Sequence, residues 1–307
     1  MQTSWLQSAP NANYPKPTQT ATLVADPGNS NLKCWSDTTP SADTPGYDFG
    51  NYQLSDLGVV KTASPAFTRT YNWSITKTSD KDRINIPNGQ TATFNYTVGV
   101  SETGFTDSAW AVSGTISVTN PNKLVDFTGV NVTDQIDNNG NCVITGGSGN
   151  GVSETIAANT TVDFAYTCTF AANPTSGTNT AKATWPNTFV TPDPFSQGTA
   201  GYTFGAPTTR TNQSVTVTDS YNGSLGTAGP ATDATPYYST SYQYSRQITG
   251  VAGACTDYGN TATITQTSQK ADKSVKVCVG LDLTVAKTAV TNFTSAINKS
   301  VDKPLVE

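Results

Sequence analysis

The chain has 307 residues, a net charge of −5 and no histidine, and only 13% of it is charged. Its length exceeds the usual single core, so two domains are expected. Its scattered Lys and Arg offer no stripe to track phosphates, and no apolar run is long enough to span a bilayer, which argues against nucleic-acid binding and membrane insertion.

Abundant Thr, Ser, Asn and Gly point to β-structure with hydroxyl-bearing outer faces. Residues 1–57 are rich in Pro, Asn and Ser and read as an extended arm with one strand at 20–25. From 58 to 187 the strand signals become regular. Thr91–Val100 and Trp110–Thr119 alternate apolar and polar residues, and strands follow at 129–133, 142–144 and 161–168. Turn residues at Pro87-Asn88-Gly89, Asn120-Pro121-Asn122, Asp137-Asn138-Asn139-Gly140-Asn141 and Asn173-Pro174 separate them at intervals suited to a sandwich. No window carries a helical stripe. Residues 188–280 repeat the pattern in shorter form: Ser214-Val215-Thr216-Val217-Thr218-Asp219 resembles Val130-Asn131-Val132-Thr133-Asp134, and Asn260-Thr261-Ala262-Thr263 resembles Asn179-Thr180-Ala181-Lys182-Ala183-Thr184. The expected fold is all-β, two antiparallel β-sandwich domains in tandem at 58–187 and 188–280, related by duplication.

The ending, 281–307, restates the start of the first domain. Lys61-Thr62-Ala63 answers Lys287-Thr288-Ala289, Phe67-Thr68 answers Phe293-Thr294, and Ile75, Lys77, Asp80 and Lys81 answer Ile297, Lys299, Asp302 and Lys303. Such a segment is either a linker stub or a strand donated to another chain, with Leu283, Val285, Val290, Phe293 and Ile297 as its contact residues. Of five cysteines, Cys142 with Cys168 and Cys255 with Cys278 suit two local disulfides, and Cys34 is left over, either buried or paired with another chain. An oxidising, extracellular location follows, with any leader segment expected to have been removed.

The runs TYNWSITKTSDK, NGQTATFNYTVGV, SGTISVTNPN, VNVTD, YTCTF and GTNTAKATW resemble the Ig-like repeat domains of long bacterial and archaeal surface proteins, a family without one assigned biochemical function. SVTVTDSYNGSLGT resembles the partner domain that follows in such arrays, and VCVGLDLTVAKTA resembles the linker into a next repeat. The resemblance covers about 58–303 and implies a stalk-like or adhesive cell-surface role. Surface sandwiches of this type sometimes cross-link a strand Lys to an Asn with the help of a buried acid. Lys61 or Lys77, Asn179, and Glu102 or Glu154 have the right residue types here, against the simpler reading of solvated lysines.

Other chemistry is sparsely supplied. Without histidine, Ser-His-Asp and Cys-His arrangements are impossible. Asp126, Asp134, Asp137 and Asp219 would have to do any acid–base work, but Asp beside a turn more often bonds backbone, so no enzyme and no cofactor are expected. Asp137, Asn139 and Asn141 offer oxygens for calcium, although the same residues suit a turn and no Glu follows at the required spacing. Trp73 and Trp110 read as core anchors on inner faces or, alternatively, as a sugar-stacking platform together with Trp185. Asn95-Tyr96-Thr97 and Asn131-Val132-Thr133 fit the glycosylation acceptor pattern. The expectation is an extracellular structural subunit that polymerises with copies of itself by strand addition; the alternative is a monomeric or array-borne adhesin binding a surface ligand.

Overall fold

The computed structural model describes residues 6–7, 22–26, 29–36, 51–52, 54–123, 125–146, 150–189, 191–281 and 286–300. Among these the chain is all-β, with no helix. In the N-terminal segment, β1 (Leu6–Gln7), β2 (Thr22–Asp26), β3 (Asn29–Ser36) and β4 (Asn51–Tyr52) form two antiparallel pairs, β1 with β4 and β2 with β3. Cys34 lies on β3, and the surroundings of its side chain fall outside the described residues.

The strands that follow are β5 (Gly58–Lys61), β6 (Ser64–Ser79), β7 (Arg83–Ile86), β8 (Ala92–Thr119), β9 (Phe127–Ile136), β10 (Asn141–Ile144), β11 (Glu154–Ile156) and β12 (Thr161–Thr169). After them come β13 (Gly177–Thr184), β14 (Phe195–Tyr202), β15 (Thr209–Thr211), β16 (Val215–Asp219), β17 (Gly223–Ala228), β18 (Ser239–Ile248), β19 (Cys255–Ile264) and β20 (Lys270–Val279).

Two compact units result, and they are not consecutive in sequence. The first comprises residues 1–73, 102–214 and 230–238; the second comprises 74–101, 215–229 and 239–307. The expected boundary near 187 fails because β6 and β8, 16 and 28 residues long, each give one part to each unit. Periodicity announces β8 as two strands. The stretch between them continues the extended chain through Gly104 and Ala109, which adopt positive φ of 127° and 54°.

In the first unit, residues 111–119 of β8 pair with β12, β12 pairs with β10, and β5 pairs with the end of β8. A second sheet runs β11-β9-β13-β14. The sheets share one apolar core: Val112, Ile116, Val118, Phe164 and Tyr166 from the first meet Phe127, Val130, Val132, Ile156, Ala181 and Ala183 from the second. Leu54 and Leu57 belong to this core, so the packed unit starts a few residues inside the segment that composition assigns to an arm.

The second unit repeats the plan. One sheet runs β17-β16-β19-β20-β7, and residues 92–101 of β8 pair with β18. Ala92, Phe94, Tyr96 and Ile248 meet Val275, Val277 and Val279 in its core. Disulfides join Cys142 to Cys168 and Cys255 to Cys278, each pair directly opposed on neighbouring antiparallel strands.

Candidate functional site

Each unit buries a lysine, an aspartate and an asparagine together. In the first, Lys61 closes β5 and Asp134 lies near the end of β9. Asp134 is directly opposite Ala181 on β13, so Asn179, two residues along β13, is its diagonal neighbour on the same face. Lys61 comes from the other sheet. Its Nζ donates to Asp134 Oδ1 at 2.7 Å, and Asn179 Nδ2 donates to Asp134 Oδ2 at 3.2 Å. One carboxylate therefore bridges an amine and a carboxamide across the core. The Lys61 and Asp134 side chains are 0% and 1% exposed.

The walls of this cluster exclude water. Lys61 Nζ sits 3.2 Å from the centre of the Tyr166 ring, and the sulfur of Cys168 lies 3.4 Å from Asn179 Nδ2. Tyr166 is fixed in turn by its hydroxyl, which donates to the Thr62 carbonyl at 2.5 Å. Burial pushes the Lys61 ammonium below its ordinary range and the Asp134 carboxyl above it. Both shifts favour a neutral amine beside a protonated acid, because desolvation outweighs the mutual attraction. Burial likewise moves the Tyr166 phenol up to about 12.

The second unit uses the same register. Asp219 on β16 faces Ala262 on β19, and Asn260 lies two residues from that alanine. Lys77, near the end of β6, bonds Asp219 Oδ2, and both side chains are 0% exposed. The Tyr244 hydroxyl joins all three groups: it accepts from Lys77 Nζ and Asn260 Nδ2 and donates to Asp219 Oδ2, each at 2.7 Å. Tyr96 and Tyr244 stack with ring centres 5.4 Å apart and cover Lys77. Burial lowers the Lys77 pKa. Burial also works to raise Asp219, but its bonds from Lys77, Tyr244 and the Tyr221 and Asn222 N–H groups prevail and hold the carboxyl below the usual range.

Sequence reasoning selected Lys61, Lys77 and Asn179, and all three lie in these clusters. The acids it singles out, Glu102 and Glu154, lie outside the clusters, and it does not single out Asn260. Glu102 accepts the Thr232 and Tyr238 N–H groups, and Glu154 accepts that of Gly151; neither is bonded to either lysine. The missed signal was in plain view: the repeated Val-x-Val-Thr-Asp and Asn-Thr-Ala segments carry the Asp and Asn of both clusters.

Trp73, Trp110 and Trp185 are buried and form no platform. Trp110 stacks on Phe67 at 4.1 Å, Trp73 Nε1 donates to the Asn212 carbonyl, and Trp185 packs edge-on to Phe127. Asp126 and Asp137 accept the N–H groups of Ala158 and Thr178, both distant in sequence, while Asn138 and Asn139 take the left-handed conformation. Asn139 and Asn141 are exposed.

Residues 286–300 have no regular structure and are exposed throughout, with Val290, Phe293 and Ile297 at 83%, 91% and 94%. Leu283 and Val285 lie outside the described residues. No protein-family model matches the chain, and neither the curated proteins nor the solved structures contain a significant match.

Proposed function

We propose that the chain is an extracellular structural protein of two Ig-like sandwich units, whose copies associate by adding the 281–307 segment of one to a sheet edge of the next. The carrying observation is the exposure of Val290, Phe293 and Ile297 within residues 286–300, which form no strand. Its earlier copy is placed quite differently. Phe67, the counterpart of Phe293, is buried between Trp110 and Phe204. Residues with the pattern of a packed strand thus stand in water, and strand addition supplies both backbone partners and apolar cover. Tail-to-body contact is heterologous, so when it does not close it propagates into a filament. The two disulfides agree with an oxidising location.

A second reading has its own support. Lys287 and Lys299 recur at the tail positions that answer Lys61 and Lys77, as they would if the tail opened a further pair of units in a longer surface array. Sedimentation velocity and negative-stain microscopy on the full chain and on a version ending at Gly280 separate the two. Association of the full chain alone supports strand addition; monomers in both favour the array.

A further inference from the structure

The two buried clusters are an unusual expenditure for a protein of low charge. Removing an ammonium and a carboxylate from water is costly, and replacing such a pair with apolar side chains is often neutral or better. Here the arrangement occurs twice, with the same registry and the same third member. Asn179 adds a second anomaly, since its Oδ1 is buried without a hydrogen-bond partner. A carboxamide that served only to hold the aspartate would not leave its better acceptor unmet.

We propose that each cluster is a self-processing site that joins its lysine to its asparagine, forming isopeptide bonds between Lys61 and Asn179 and between Lys77 and Asn260. The required parts are in place: an amine, a carboxamide carbon, and an acid in contact with both, all shielded by tyrosine rings. Lysine passes a proton to the aspartate it bonds and so becomes the nucleophile, and Nζ attacks the asparagine Cγ. As the Nζ–Cγ bond forms, the amide oxygen takes up negative charge, and a protonated aspartate can donate to it once the amide turns to present Oδ1. Collapse breaks the Cγ–Nδ2 bond. A second proton, released by Nζ as the new bond forms, reaches Nδ2 by way of the aspartate; ammonia leaves, and the first proton stays on the carboxyl. Amine and primary amide thus become secondary amide and ammonia, with no redox partner and no outside reagent. In the second unit the Tyr244 hydroxyl, bonded to all three groups, offers the proton a relay.

Aspartate is the general acid and base here because it touches both reacting groups. The low-dielectric surroundings act in the same direction, since they favour the uncharged lysine that the attack needs. The product also removes the cost of keeping an ionisable amine in the core: it is a neutral amide beside a protonated acid, tying a strand of one sheet to a strand of the facing sheet. This proposal is independent of how the chains associate.

The test is the intact mass of the purified full chain with its disulfides formed. The expected mass is that of the sequence less the disulfide hydrogens and less two molecules of ammonia. Protease digestion should yield two branched peptides, one joining Lys61 to Asn179 and one joining Lys77 to Asn260. Lys61→Arg and Asp134→Asn should each restore one ammonia, and Lys77→Arg and Asp219→Asn the other. A folded wild-type chain that retains both ammonias overturns the proposal, whatever the variants do. Loss of a single ammonia overturns it for the cluster without a branched peptide. Ammonia lost through a succinimide, for instance at Asn222-Gly223, would persist in the lysine variants and overturns it too.

Discussion

Lys61→Met tests covalent closure of the first unit through stability. Methionine keeps much of the apolar stem but removes the amine. Residues 61 and 179 are 118 apart (179 − 61), so in the chain-entropy description a bond between them withholds about 5 kcal/mol of freedom from the unfolded chain. The variant loses that. Asp134 loses the amide it bonds in the closed unit, and burial, which pushes its carboxyl up, favours the protonated form over an unpaired buried charge. The expected loss is thus about 5 kcal/mol, a large share of the stability of an ordinary domain. A non-covalent ion pair broken in the same way would cost about 3–5 kcal/mol, so magnitude alone does not separate the cases. The urea dependence does. A bond closing more than a hundred residues keeps the unfolded state compact, and removing it steepens the transition. Trp73, Trp110 and Trp185 all belong to the first unit, so tryptophan fluorescence during urea titration reports the relevant transition. A lower midpoint with an unchanged slope would refute the reasoning.

Further outcomes are expected elsewhere. Phe293→Asp and Ile297→Asp should abolish association while leaving far-ultraviolet circular dichroism unchanged, because both residues are exposed in the isolated chain; sedimentation velocity checks this. Gly114→Ala would drive a Cβ into the Thr62 carbonyl, displacing the strand end that bears Lys61. It should destabilise the first unit by about 1–3 kcal/mol in urea titration and slow the appearance of the 61–179 branched peptide. Asp233 is held below the ordinary carboxylate range by Arg210, then by Tyr71 and Arg69. That contribution is present above the unfolded value of 3.8 and is lost as pH falls below it. Because the Asp233 side chain is 42% exposed, the effect should be about 1 kcal/mol or less, read as a flatter acid titration of stability in Asp233→Asn.

Strands were the most legible part of the sequence. Alternation located β9, β10 and β12 to within a few residues, since each has one face in the core and one in solvent. Unit boundaries were not legible, because alternation is local and does not reveal that β8 leaves one core and enters another. For the clusters, the lysines and Asn179 were readable as residue types, and the Asp and Asn of both sites sat in visibly repeated segments. Their convergence was not readable: it depends on β5 and β6 facing β9 and β16 across the cores, a long-range fact that a single strand does not encode. Glu102 and Glu154 had the right chemistry on the wrong strands.

Intact-mass spectrometry of the full chain, followed by sequencing of the branched peptides, tests the reading of the paired clusters most directly. The account predicts a loss of two ammonias, with Lys61 joined to Asn179 and Lys77 joined to Asn260. A folded chain at full sequence mass, less only the disulfide hydrogens, would contradict it.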